Sequence, residues 1–283
     1  MKLVTFTAGA QQAFGLVNAD GGIVDLSRRL GPGFPDITSL LDSDGLDRAR
    51  AFIGAPADYH QRDVMFLPPI ERPGKIFCVG MNYAEKRREF NETNKAPTLF
   101  VRFPDSQTGH ARPLLKPSLS DEFDYEGELA VVIGRGGLGL PADRALDHVA
   151  GYSCYMDGSV RDWQHSWFTA GKNWRQTGAF GPWLVTADEI PDPQALAIRT
   201  FLNGQMVQND NTANMVHRVA DLIAYISTFS ALSPGDVIIT GSPGGVGKKR
   251  TPPLFLKEGD RVEVEIERIG RLVNHVIRDA RAA

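Results

Sequence analysis

The chain of 283 residues is 42% hydrophobic and carries 31 basic against 34 acidic side chains, a net charge of −3. That length supports one large domain, or a large one with a small companion. The near balance of charge leaves no footprint for nucleic acid or an anionic membrane, and no apolar run approaches the roughly 20 residues of a membrane span.

The opening MKLVTFTAGA reads as a strand, because it lacks the apolar region of a signal peptide. KLVTFT, AFGLV and GIVDLS, with the turn NADGG between the last two, form a small β meander. PDITSLLD and DGLDRARAFI are short helices, each opened by an aspartate (Asp36 and Asp44) that can cap it. The proline-rich FLPPIERPGK, residues 66–75, marks a boundary between a small N-terminal domain (1–70) and a larger one (71–283). Beyond it KIFCVG is a strand, and NYAEKRREF is a helix whose capping box is Asn82 with Glu85. TLFVRF, YEGELAVVIG, GYSCYMD and GPWLVT are further strands, with a short helix in PADRALDHVAG. LAIRTFLNGQMV is a hairpin through Asn203-Gly204. VHRVADLIAYISTFSAL is a helix with apolar residues at 219, 222, 223, 226 and 229. DVIITGS and RVEVEIERIGRLVNHVI are closing strands. The whole is a β-rich α+β protein. Cys78 and Cys154 lie in apolar surroundings as free thiols, which points to a reducing, cytoplasmic compartment.

DYEGEL places Glu126 and Glu128 two apart in a strand-like run, so both side chains face one way. Two ionised carboxylates a few ångströms apart repel, and one must be neutralised by a proton, a basic partner or a cation. A solvated sheet face would relieve them, but the apolar run Leu129–Ile133 that follows suits a strand covered on both sides. Asp157 ends GYSCYMD, where a strand gives way to a loop. A divalent ion would reduce three carboxylate charges to −1 and leave about three octahedral positions open. Mg²⁺ or Mn²⁺ suits such a set and zinc does not, since no Cys or His stands at ligand spacing. GSPGGVGKK is not a phosphate loop: the G-x-x-x-x-G-K-[ST] spacing fails and no Ser or Thr follows the lysine.

Over residues 72–280 the chain resembles the fumarylacetoacetate hydrolase family, through KIFCVGMNYAEKRREF, DYEGELAVVIG, GYSCYMDGSVRDWQ, GKNWRQTGAFGPWLVT and DVIITGSPGGVG in that order. The resemblance implies that family's mixed-β catalytic domain and a Mg²⁺ or Mn²⁺ ion on Glu126, Glu128 and Asp157. It implies an active-site role for Lys172, and substrate contacts from Gln164, Ser242, Arg102 and Tyr83. It also implies a homodimer. A divalent ion chelated by a 2-oxo acid can act as a Lewis acid on the enolate. The expected activity is hydrolysis of a carbon–carbon bond in a 2,4-dioxo acid, an acylpyruvate such as maleylpyruvate or fumarylpyruvate from aromatic-ring breakdown. The alternative is a lyase or isomerase on a 2-oxo acid, such as oxaloacetate decarboxylation or keto–enol isomerisation, on the same site. A binding protein without turnover has little need of a partly open metal site.

One position departs from the family. Where many relatives read N-Y-x-x-H-x-x-E, this chain reads Asn82-Tyr83-Ala84-Glu85-Lys86-Arg87-Arg88-Glu89. Poising a lysine of pKa near 10.4 to work near neutrality costs about 4–5 kcal/mol, whereas a carboxyl near 4.3 is ionised already. Glu89 is therefore the expected water-orienting base, with Lys86 charged and either pairing with it or holding substrate. His165 and His110 are the next candidates for the missing imidazole. Residues 84–96, AEKRREFNETNKA, read as a lid.

Overall fold

The computed structural model describes residues 1–43 and 45–280, so the expected cap Asp44 lies outside the described residues, as does 281–283. Its frame is a 12-stranded mixed sheet backed by a 5-stranded one. The large sheet runs from Tyr59–His60 through Gly22–Asp25, Gln11–Val17 and Lys2–Ala8 to Gly178–Thr186. It continues through Val149–Met156, Gly127–Ile133, Val237–Ile239 and Ile76–Gly80 to Thr98–Val101. The sheet runs on across the proline-rich stretch 66–75, because Lys2–Ala8 pairs antiparallel with Gly178–Thr186.

Gly127–Ile133 is buried along its whole length. Leu129, Val131 and Ile133 join a core with Val264 and Leu272 of the smaller sheet. Ala130 and Val132 face a second core, with Leu26, Leu40 and Phe180. That alternation is the physical cause of the uninterrupted apolar run: a strand covered on both faces has no solvent side to make polar.

Of the expected helices, Ile37–Leu41 forms with Asp36 as N-cap in a capping box with Ser39. Asn203 (φ 51°) and Gly204 (φ 79°) turn the hairpin between Ala197–Leu202 and Gln205–Asn211, the paired left-handed residues that such a turn requires. PADRALDHVAG becomes a 3₁₀ helix, Ala142–His148. Two expectations are corrected. The Val219–Ser227 helix buries 219, 222, 223 and 226 but stops before Phe229, which is 59% exposed. The Ala84–Phe90 helix has no capping box, since Tyr83 is the cap and makes no side-chain bond there. Asn82 instead ties three backbone segments together. Its Nδ2 donates to the carbonyls of Thr240 (2.8 Å) and His217 (3.0 Å), and its Oδ1 accepts the His217 N–H.

Candidate metal and oxo-acid site

Antiparallel pairing brings the three carboxylates to one end of the sheet. Gly127 lies opposite Met156 and Glu128 opposite Tyr155. The Asp157 N–H then donates to the Glu126 carbonyl at 2.8 Å, which extends the ladder one step past the strand ends. Glycine between the two glutamates is dictated by the second sheet: a Cβ on Gly127 would lie 2.1 Å from Thr200 Oγ1. Glu126, Glu128 and Asp157 are buried, each offering a ligand oxygen within 4.8 Å of the others. One hard cation with ligand distances of about 2.1–2.5 Å can bridge that span. The set is all carboxylate oxygen, with no thiolate or imidazole, so it fits Mg²⁺ or Mn²⁺ and not zinc.

Four cations are folded against these acids. Lys172, at the end of the short Thr169–Lys172 helix, spans Glu126 Oε2 (2.6 Å) and Asp157 Oδ2 (2.5 Å). Lys86 pairs with Glu126 Oε1 and donates to Ser242 Oγ at 2.5 Å. Arg161 reaches Glu126 Oε1 and Asp124 Oδ2, both at 2.8 Å. Arg102 donates to Asp157 Oδ1 at 2.6 Å and places its other donors on the Gly158 and Ser106 carbonyls, Ser106 Oγ and Thr177 Oγ1. With Asp124, four buried acids thus face four buried bases, and the cluster is formally neutral.

Neutrality overall hides an uneven distribution. Burial alone would raise the Glu126 carboxyl, but Arg161, Lys172 and Lys86 hold it well below the usual range. Glu128 makes no ion pair among the described residues, and its Oε2 accepts the Gly241 N–H at 2.6 Å. Burial, with Asp157 and Glu126 beside it, pushes Glu128 well up. A divalent ion answers that deficit where it is greatest, and this supports the fit of the triad to a metal.

The expected substrate-side residues fall into two groups. Ser242 and Lys86 meet inside the cluster. Arg102 stands behind Asp157 with all five donors used within the protein, so it is placed to orient a ligand carboxylate and has no N–H left for substrate. Lys86 and Glu89 make no ion pair. Glu89 Oε1 accepts the Gly245 N–H at 2.8 Å, while its buried Oε2 has no partner among the described residues. The Tyr83 hydroxyl and Gln164 Nε2 are likewise buried without partners. Gln164 Oε1 lies 3.4 Å from Arg161 Nη1. Neither histidine candidate takes part. His165 is exposed, and His110 accepts from the Val273 N–H and packs on Phe66.

Three contributors were not singled out in the sequence, and a fourth, Asn82, was expected only as a helix cap. Asp124 and Arg161 sit inside the very stretches DYEGEL and DGSVRDWQ, and an arginine four residues past Asp157 was the available signal. Gln208 accepts the Gly127 N–H and donates to the Pro243 carbonyl, and Asn82 joins Thr240 to His217. Neither has a local signal.

Known proteins carry the same frame. A family model described as fumarylacetoacetate (FAA) hydrolase C-terminal matches residues 75–277. The human protein named oxaloacetate tautomerase, mitochondrial, is 41% identical over 290 residues, covering 98% of this chain and 92% of that one. A fumarylacetoacetate hydrolase from psychrophilic Exiguobacterium antarcticum superposes with TM-score 0.84 at 33% identity, covering 99% of this chain and 100% of the other. Maleylpyruvate hydrolase from Sphingobium, solved with manganese(II) and pyruvate, gives TM-score 0.83 at 27% identity over 98% of this chain and 99% of that one.

Proposed function

The chain belongs to the fumarylacetoacetate hydrolase family, and from that premise we propose that it interconverts the keto and enol forms of a 2-oxo dicarboxylic acid of the oxaloacetate type. Glu126, Glu128 and Asp157 would hold the divalent ion, which when bound supplies Lewis acidity to the 2-oxo oxygen. The observation that carries the proposal is Lys86. Hydrolysis asks for a base that activates water, but the residue at the histidine's position is an ammonium paired with Glu126 and bonded to Ser242. Tautomerisation asks only that a proton leave C3 and another reach the 2-oxo oxygen. Glu89 Oε2, buried with no donor on it, would carry the C3 proton. Charge supports an anionic substrate: the eight buried groups cancel, so a bound divalent ion, less the one negative charge of Glu89, leaves a net positive charge for the ligand to neutralise. The human tautomerase relative points the same way.

A second reading, hydrolysis of an acylpyruvate such as maleylpyruvate, draws on the Sphingobium relative and on the same Glu89 oxygen serving to orient water. One experiment separates them. Protein loaded with Mn²⁺ is given enol oxaloacetate, maleylpyruvate and acetylpyruvate in parallel, and the ultraviolet enol absorbance is followed with pyruvate and carbon dioxide assays. Faster enol decay of oxaloacetate, abolished by chelator and without carbon dioxide, is the expected result. Pyruvate released from an acylpyruvate, with no acceleration on oxaloacetate, would replace it with the hydrolase reading.

A further inference from the structure

We infer that Lys86 is a specificity-determining residue whose ammonium exchanges between two carboxylates: Glu126 when the site holds no divalent ion, and the distal carboxylate of a dicarboxylic 2-oxo acid when it does. The inference rests on the proposed function for the identity of that second partner.

Three observations carry it. First, the Glu126 and Asp157 oxygens are already engaged by bases: Glu126 Oε1 by Lys86 and Arg161, Glu126 Oε2 and Asp157 Oδ2 by Lys172, and Asp157 Oδ1 by Arg102. An ion on Glu126 must therefore displace a base. Second, the candidates differ in how firmly they are held. Arg161 also binds Asp124, and Lys172 also binds Asp157, so each keeps a carboxylate if it loses Glu126. Lys86 has no second ion-pair partner among the described residues; its other partner is the Ser242 hydroxyl. It is the base that a competing cation releases at least cost. Third, Lys86 lies on the seven-residue Ala84–Phe90 helix, and its bonds to Glu126 and Ser242 pin that segment down over the site. Once freed, a buried ammonium beside a serine hydroxyl forms a donor pair suited to a carboxylate, and an unpaired buried charge has strong need of one.

The device orders events: ion first, then dicarboxylate, with the helix held at the start by Glu126 and at the end by substrate. It also gives a 2-oxo monocarboxylate nothing to offer Lys86.

The test is made on the full chain without turnover. Mn²⁺ affinity is measured by calorimetry for wild type, Lys86→Met and Lys86→Arg, and binding of 2-oxoglutarate against pyruvate is measured on each Mn²⁺-loaded protein. Loss of the competing cation in Lys86→Met is expected to tighten Mn²⁺ binding at least tenfold and to erase a preference for the dicarboxylate of at least tenfold, while Lys86→Arg retains both wild-type behaviours. Hydrogen exchange on the wild type keeps the question answerable should a variant not fold. Amides of 84–90 are expected to exchange faster with Mn²⁺ alone and to regain protection with 2-oxoglutarate but not pyruvate. Unchanged or weaker Mn²⁺ binding in Lys86→Met, or exchange indifferent to Mn²⁺, overturns the inference. If these binding results hold while oxaloacetate is not tautomerised, the exchange by Lys86 stands and the proposed reaction falls.

Discussion

Arg102 offers the most direct measure of how the site is held together. Its side chain is fully buried, as is Asp157, and its five donors meet five acceptors on four residues. Replacing it with methionine keeps much of the volume and removes every donor. Removing one partner of a buried pair typically costs about 3–5 kcal/mol, since it strands the other charge. Asp157 would retain Lys172, which argues for the lower end, near 3 kcal/mol. That is a large part of the roughly 5–15 kcal/mol that holds a domain folded. Urea unfolding in chelator should show the loss in full. Excess Mn²⁺ should return part of it, because an ion on Asp157 neutralises the stranded charge, and at a hundredfold over its dissociation constant a ligand contributes about 2.7 kcal/mol. The exposed pair between Arg50 and Asp188 is the control, where Arg50→Ala should cost no more than about 1 kcal/mol. If Arg102→Met is no more costly than that control, the guanidinium does not hold Asp157, and its positioning role is wrong.

Other outcomes follow from the same geometry. Glu126→Gln removes the acid that three cations share, and Mn²⁺ affinity measured by electron paramagnetic resonance should fall beyond the ~100-fold typical of outer-shell changes; retained affinity would place the ion elsewhere. Glu89→Gln should slow the reaction by about 10²–10⁴ with Mn²⁺ affinity within threefold of wild type, and a full rate would remove Glu89 from proton transfer. His110, whose imidazole burial lowers to about 4 from an ordinary 6.5, stays neutral when folded while the unfolded chain takes up a proton below 6.5. Its contribution is therefore complete above pH 6.5 and is lost as pH falls toward 4, by about 3 kcal/mol. Urea unfolding across that window should show a flatter slope for His110→Gln than for wild type, and equal slopes would refute the assignment.

Much of this site was legible in the sequence, for a reason tied to strand geometry. The spacing of Glu126 and Glu128, and Asp157 at the end of the next long strand, place three acids at one sheet end as soon as the two strands pair antiparallel. The Asn203-Gly204 hairpin and the doubly covered Gly127–Ile133 strand were legible for the same reason, since each pattern needs only nearest neighbours. What stayed hidden depends on contacts between distant segments. Asn82 and Glu85 have capping-box spacing, yet the Thr240 carbonyl and the His217 backbone claim the asparagine. Lys86 and Glu89 are three apart on a helix and could pair, but Glu126 and Ser242 take the lysine while Gly245 takes the glutamate. Propensity and local spacing lose in both cases to a buried partner, because an unmet acceptor in the interior costs more than a surface cap contributes.

Lysine at position 86, where the family resemblance implies histidine, is best understood together with its surroundings. A neutral imidazole at position 86 would leave the eight-group cluster one positive charge short, with Glu126 still bound by Arg161 and Lys172. Lysine restores the balance in the absence of metal, and it introduces a charge that must go somewhere when metal arrives. A hydrolase of this construction would face a difficulty, because the ammonium opposes the basicity its water requires. An enolising enzyme does not: its substrate brings a second carboxylate, and Ser242 already stands against Lys86 to share in holding it. On the proposed reading, the side chain that stands in the histidine's place would also select the substrate for which no water-activating base is needed.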